Sequence, residues 1–326
     1  MYGLARHKNE IKCKGSNLNL KIIVSSGSIK ILNLVFWLKL RTSYRIKVLR
    51  TNINWFLFRI KLLTPRANDN RIVISLTSYP GRFKFLQKTL KTLILQSTTP
   101  SAIRVYVEEK DFSEIGQRLT QLRQFGVTFH PSISGWRAAT KLIPELLNTE
   151  AKESLIIYLD DEILYPRTLV EGLITTMKRY PESDVIFSWG QIVPPWERSR
   201  SCLPEYSTWK TTNLISIENN FVVPLGVAGV MLKRLSAPIG IINLKKFQDI
   251  SQSNDDLWFW CHFIQKNLRL EKSLKNIQPP VYWRGSQDNA LWRTNIIQGE
   301  NDKILRRLIA EYPEFKALLV KEGVKN

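Results

Sequence analysis

Five consecutive apolar or aromatic residues, Leu155-Ile156-Ile157-Tyr158-Leu159, run directly into Asp160-Asp161-Glu162. A run this short with no polar face reads as a strand covered on both sides, which belongs in a parallel sheet between helices. In open sheets of that kind ligands gather at the carboxyl ends of the strands, where the three acids stand. Adjacent carboxylates repel one another and are costly to desolvate unpaired, so a divalent cation held by hard oxygen ligands is their natural neutraliser. The competing reading is a solvated acidic turn ahead of a helix that begins near Pro166.

The pattern around this run fixes the fold class. Arg71–Thr77 reads as a strand. Phe83, Leu86, Leu90 and Leu93 then recur at helical spacing as far as Gln96, with Thr99-Pro100 as the stop. Strands at 103–107 and 127–130, helices at 115–125 and 138–147, and a further strand at 185–189 complete an alternation that implies right-handed crossovers. The expectation is an α/β/α sandwich, Rossmann-like, with a mostly parallel central sheet. The Trp-bearing, Pro-interrupted stretch 194–220 suits a binding surface. Thr64–Asn70 is polar and reads as a linker, which divides a basic segment, 1–70, from a domain at 71–326.

Charge is uneven along the 326 residues. Of the net +20, residues 1–70 carry +12 and the remainder +8. Between residues 29 and 63, Ile31, Leu34, Val35, Leu38, Trp55, Leu57, Phe58 and Leu62 interleave with Lys30, Lys39, Arg41, Arg45, Lys47, Arg50, Arg59 and Lys61. Such a helix could lie on an anionic membrane surface, or pack on the domain as an ordinary amphipathic helix. No apolar run approaches the ~18 residues of a bilayer span, and no secretory signal opens the chain. Cys13, Cys202 and Cys261 form neither a disulfide framework nor a zinc pattern, and His7, His130 and His262 are too few for a histidine metal cluster. A reducing compartment follows: cytoplasmic, or peripheral on the inner face of the cytoplasmic membrane.

A second acidic pair, Asp255-Asp256, follows Ser253-Asn254 and precedes the apolar run Leu257-Trp258-Phe259-Trp260. It reads equally as the capped first turn of a helix and as a source of catalytic carboxylate. Between the two acidic sites, Gly226-Val227-Ala228-Gly229 would let backbone approach a ligand closely.

The segments VISLTSYPGRF (73–83), LQKTLKTLILQSTTPSAIRVYVEE (86–109), TKLIPEL (140–146), LDDEILYP (159–166), PLGVAGVMLK (224–233), NDDLWFW (254–260) and GEND (299–302) together resemble bacterial GT-A glycosyltransferases of the family 2-like type, which build surface polysaccharide and lipopolysaccharide. The resemblance covers residues 71–312. It implies a metal-dependent, inverting hexosyltransferase that moves a sugar from a nucleotide sugar, UDP-sugar foremost, to a saccharide or lipid-linked acceptor. It places Asp160, Asp161 and Glu162 at the Asp-x-Asp position, with Asp160 and Glu162 holding Mn²⁺ or Mg²⁺ on the donor diphosphate. Glu162 departs from the usual Asp. Thr77, Ser78, Tyr79, Arg82, Glu108 and Lys141 match the donor-binding stretches, and an ordinary surface lysine is the competing reading of Lys141. Asp256, with Asp255 as runner-up, matches the general base. Gly226 and Gly229 match the loop beside the acceptor, where Ala228 replaces a usual Gly. Trp258 would meet the acceptor sugar, while Trp196, Trp209, Tyr282 and Trp283 are stacking candidates better assigned to the core.

Two other functions remain open on sequence. The basic aromatic segment could bind nucleic acid, which leaves the acidic strand end unexplained. The same carboxylates could serve a metal-dependent phosphatase or nucleotidyltransferase.

Overall fold

The structure, a computed structural model, describes residues 26–59, 67–197, 199, 201–212, 221–275, 279–288 and 299–322. Of the features expected from sequence, the segments 1–25 and 60–66 and the stretch 213–220 lie outside the described residues. The chain divides into two compact units, Met1–Arg50 and Thr51–Asn326. Helix α1 (Ser26–Arg59) begins in the first, where it leaves Ile46 and Leu49 exposed beside Arg45, Lys47 and Arg50. Among the described residues no helix is long and apolar enough to cross a membrane.

The second unit is built on a seven-stranded sheet. In chain order its elements are β1 (Ala67–Thr77), α2 (Phe83–Ile94), β2 (Thr98–Glu108), α3 (Gln117–Thr120), β3 (Val127–Ser132), α4 (Ile143–Leu147), β4 (Leu155–Leu159), α5 (Leu169–Arg179) and β5 (Val185–Phe187). There follow β6 (Gly190–Ile192), β7 (Lys210–Thr211), β8 (Val222–Pro224), β9 (Val230–Lys233), α6 (Leu244–Ile250), α7 (Asp255–Gln265), β10 (Leu270–Lys272), α8 (Glu300–Glu311) and α9 (Pro313–Glu322). The sheet order is β10-β5-β9-β4-β1-β2-β3, while β7-β6-β8 form a small antiparallel sheet. All neighbours in the large sheet are parallel except β9, which runs antiparallel to both β4 and β5. The α/β architecture with a mostly parallel sheet is thus present.

Both faces of the sheet are covered, and β4 shows why its sequence has no polar position. Leu155, Ile157 and Leu159 point into a core with Leu86, Leu90 and Leu93 of α2 and Leu169 and Leu173 of α5. Ile156 and Tyr158 alternate to the other face, among Phe247 of α6, Leu257 and Phe259 of α7, and Ile304 of α8. Each such leucine or isoleucine removed from water contributes roughly 1.5–3 kcal/mol. Trp55 and Phe58 pack at the edge of the first core, with ring centroids 5.1 and 5.7 Å from Phe125.

Three local expectations are corrected. Residues 67–70 are not linker, because β1 already pairs there, Ala67 with Thr98, Asn68 with Thr99 and Asp69 with Pro100, before a register shift. Polar composition misled: Asp69 satisfies Arg71 within the strand itself, at 2.7 and 2.9 Å. The expected helix over 138–147 is a 3-10 turn, Arg137–Lys141, followed by the short α4, since Pro144 has no N–H to continue a helical ladder. The helix expected over 115–125 is likewise α3 followed by a 3-10 turn, ended by Gly126 at φ +82°.

Candidate active site

The first acids stand at the carboxyl end of β4, as in other open α/β sheets, and the chain grips them closely. Ser78 Oγ donates to Asp161 Oδ2 at 2.5 Å, and Arg82 Nη1 donates to Asp161 Oδ1 at 3.0 Å. Arg82 Nη2 also stands 3.2 Å from Glu162 Oε2. Lys141 Nζ donates to Asp160 Oδ1 at 2.8 Å. Thr89 Oγ1 lies 2.9 and 3.0 Å from the carbonyls of Asp161 and Ile163, and Trp283 Nε1 donates to that hydroxyl at 2.9 Å. Each of the three acids therefore meets a cation of the protein. Arg82 and Lys141 offset part of that charge, and with Lys141 shared by Asp255 and Asp256 the site keeps an excess of carboxylate.

Burial raises the Glu162 carboxyl to about 7 against the pull of Arg82, with Asp160 and Asp161 adding to the rise. Asp161 is also raised by burial, opposed by Arg82 and Ser78. Burial works against the Arg82 guanidinium, but Asp161 and Glu162 outweigh it and hold its proton more tightly than usual.

The second acidic pair opens α7. Asn254 is its N-cap, with Oδ1 accepting from Leu257 N at 3.0 Å, and its Nδ2 donates to Asn301 Oδ1 at 2.9 Å. The capping and the chemical readings of Asp255-Asp256 are therefore compatible, since the cap is the residue before them. Asp255 is buried, with Oδ2 2.9 Å from Lys141 Nζ. Asp256 keeps 18% of its side chain exposed, lies 3.9 Å from the same ammonium, and accepts from Gly226 N at 3.0 Å. The antiparallel β9 delivers that glycine: its strand starts beside Tyr158, so the Gly226–Ala228 turn arrives at the carboxyl end of β4.

Lys141, far from being a surface lysine, is 2% exposed and joins the two acidic sites. Burial alone would lower its pKa, but Asp160, Asp255 and Asp256 together outweigh burial and hold it well above the usual lysine value. Burial raises Asp256 to about 7, with Lys141 pulling down and Asp255 and Asp160 pushing up. Asp255 is raised by burial, opposed by Lys141.

The remaining sequence candidates divide. Thr77 Oγ1 is turned to the Tyr106 carbonyl at 3.0 Å, and Tyr79 is exposed beneath the Arg82 guanidinium, 5.7 Å from ring centroid to Cζ. Glu108 closes the end of β2, paired with Lys110 at 2.8 Å and Ser134 at 3.3 Å. Gly229 adopts φ +96°, and a Cβ there would stand 3.0 Å from Leu159 Cδ2, so it serves the turn and its packing. Trp258 is corrected: it is wholly buried, donates Nε1–H to the Ile241 carbonyl at 3.0 Å and packs on Phe247 and His262, leaving no face for an acceptor. Trp196, Trp209 and Trp283 are buried too, as expected of core aromatics. Sequence reasoning gave no role to Asn301 and Asp302 of the GEND segment and missed Tyr206. Asp302 Oδ1 accepts from Tyr206 N at 2.8 Å, so the GEND motif fastens α8 to the loop and cap around the second acidic pair.

Among the described residues no group of three or more His, Cys, Asp or Glu is placed to hold a metal. Mg²⁺ and Mn²⁺ on a diphosphate need only one or two protein carboxylates, the phosphates and water completing the shell. Asp160 and Glu162 fit that demand: Asp160 keeps 29% of its side chain exposed, and the buried Glu162 Oε2 makes no hydrogen bond among the described residues beside its Arg82 ion pair.

No protein-family model matches the sequence, and no curated protein matches it. Solved structures with a similar chain path include the mannosyltransferase PcManGT from Pyrobaculum calidifontis in complex with GDP-Man and Mn²⁺, at 12% identity and TM-score 0.48, covering 79% of this chain and 69% of that one. TarS 1–349 of S. aureus in complex with UDP is similar at 10% identity and TM-score 0.47, covering 78% and 70%. At that distance these likenesses decide nothing about what this chain binds.

Proposed function

We propose that this chain is a nucleotide-sugar-dependent glycosyltransferase, metal-assisted and inverting, acting on a saccharide or lipid-linked acceptor in cell-surface polysaccharide synthesis. One observation carries the reading: two carboxylate sites, one suited to a donor diphosphate and one to a base, meet at the carboxyl end of a parallel sheet around Lys141. The motif order 73–302 supports it.

Asp160 and Glu162 would hold the Mn²⁺ or Mg²⁺, which when bound stabilises negative charge on the leaving diphosphate. Ser78 and Arg82 fix Asp161 so that the acidic turn keeps its shape while the donor enters. Thr77, Tyr79 and Glu108, at the ends of β1 and β2, would line the nucleoside side. Asp256, partly exposed and poised near 7, would take the proton of the acceptor hydroxyl. The acceptor oxygen bonds to the anomeric carbon as the sugar–phosphate bond breaks, and that electron pair leaves with the nucleoside diphosphate. Gly226 N–H holds Asp256 Oδ1, and the buried Asp255 is less able to reach an acceptor.

The test is calorimetric titration of the full chain with a panel of nucleotide sugars and Mn²⁺, followed by product analysis with candidate acceptors. Saturable binding and a new glycosidic bond are expected. Binding of nucleic acid alone, or hydrolysis and nucleotidyl transfer without sugar transfer, overturns the reading.

A further inference from the structure

Lys141 comes from the turn after β3, Asp160 from the end of β4, and Asp255-Asp256 from the start of α7. These elements are remote in sequence and meet at one ammonium, whose Nζ stands 2.8 Å from Asp160, 2.9 Å from Asp255 and 3.9 Å from Asp256. Gly226 closes the cluster: a Cβ at that position would fall 2.5 Å from Lys141 Nζ, 2.9 Å from its Cε and 3.3 Å from Asp256 Oδ1. A side chain there would push the ammonium off its place. Tyr158 lies against the same group, its ring centroid 6.0 Å from Nζ and its buried hydroxyl without a hydrogen-bond partner among the described residues. At 2% exposure the ammonium is walled in by these side chains.

We propose that Lys141 is a positioning residue shared by the donor acids and the base, a single internal charge that holds Asp160, Asp255 and Asp256 in one array and acts through them, without touching the donor itself. The inference rests on the glycosyl-transfer reading above. One ammonium serving three carboxylates leaves the cluster short of positive charge, so its removal would free the carboxylates to repel one another. The consequence falls on alignment of Asp256, which the Gly226 N–H holds from its other side. Donor affinity would depend mainly on Asp160, Glu162 and the groups at the ends of β1 and β2.

Lys141→Met and Gly226→Ala, made in the full chain, test this by separating binding from turnover. Misplacing a catalytic group by about 1 Å can cost ~10²-fold, so each variant should lose about that much kcat, while the Kd for nucleotide sugar with Mn²⁺ should weaken by much less, through Asp160 alone. Lys141→Arg, which keeps the charge, should recover part of the loss seen in Lys141→Met. A donor Kd that weakens in step with the loss of kcat/KM would show direct contact with the donor and overturn the proposal, as would unchanged kcat. A thermal-unfolding cycle covers variants that fold poorly: adding Asp255→Asn should restore part of the Tm lost in Lys141→Met, because the stranded carboxylate is then gone. Additive losses overturn the shared array. If the wild-type chain binds no nucleotide sugar, the functional reading falls, and the unfolding cycle alone decides whether Lys141 holds the array.

Discussion

Asn254 Nδ2 donates to Asn301 Oδ1 at 2.9 Å across 47 residues of sequence, while Asn254 Oδ1 caps α7 through Leu257 N. One amide therefore fixes the helix start that carries Asp255-Asp256 and ties it to α8. Loss of an Asn cap costs ~1 kcal/mol. Asn254→Ala should lower stability by about that amount in urea unfolding, and turnover should fall further than Asn301→Ala lowers it, since Asn301→Ala leaves the cap oxygen in place. Equal effects on turnover would show that the tie to α8, not the cap, orients the pair.

Asp256→Asn removes the proposed base with little change of shape. General-base contributions are typically ~10²–10⁴ in rate, so kcat should fall by about that factor with nucleotide affinity nearly unchanged. Asp255→Asn should act differently, losing stability because it strips Lys141 of its 2.9 Å partner. A large loss of kcat at Asp255 alone would reverse the roles. With Asp256 poised near 7 and required ionised, kcat/KM should rise with pH through about 7 and then level.

The parts of this site that were legible in sequence are those where local composition is itself the cause. The unbroken apolar run of β4 reads as a strand buried on two faces, and Asn254 before two acids reads as a helix start, and both are found. What was not legible depends on contacts remote along the chain. Nothing in 137–147 announces that Lys141 lies beneath two acidic sites, and the antiparallel β9 that brings Gly226 to Asp256 carries no signal distinguishing it from a parallel strand. Trp258 misled because an aromatic next to an acidic pair looks the same in sequence whether it faces a sugar or a core.

His262 gives a stability prediction whose sign is opposite to that of the acids. Burial lowers its pKa to about 4 from 6.5; Nδ1–H donation to the Trp258 carbonyl at 2.9 Å opposes the fall, and the charge of Lys246 adds to it. A depressed folded pKa means that its contribution is complete above the unfolded value and is lost as pH falls from about 6.5 towards 4, by up to ~3 kcal/mol. Asp256 and Glu162, both raised, lose their contributions as pH rises from about 4 to 7. Urea unfolding of wild type and His262→Gln at pH 7.5 and 4.5 separates the two: the gap between them should shrink at the lower pH. A constant gap would mean that the imidazole does not titrate on unfolding.

Metal dependence should be visible in binding as well as in transfer. EDTA should weaken nucleotide-sugar affinity and abolish transfer, with Mn²⁺ or Mg²⁺ restoring both, and Glu162→Ala should raise the metal concentration needed. Arg82→Ala should lower stability, since it leaves Asp161 and Glu162 buried without their cation. Full transfer in EDTA, with Glu162→Ala unaffected, would remove the metal from the reading.

The basic segment at 29–63 is proposed to rest on an anionic membrane surface, at ~1 kcal/mol per cation near the lipid. On α1, Ile46, Leu49, Ile53 and Phe56 are exposed at helical spacing, whereas Trp55 and Phe58 are turned to Phe125. Truncation at Asn70 would be a poor test, because it removes the first residues of β1 and the aromatic packing on Phe125. Charge reversal in the full chain is cleaner. The wild type should sediment with vesicles containing phosphatidylserine and come off in 0.5–1 M salt, roughly where the screening length falls to a few ångströms. Arg45→Glu with Arg50→Glu should weaken sedimentation at least tenfold, since about 2 kcal/mol of attraction is lost even before repulsion is counted. Phe56→Ser should weaken it with little change in salt dependence, the mark of an apolar contact. Sedimentation equal in all three, or equal on neutral vesicles, would show that this segment does not hold the membrane.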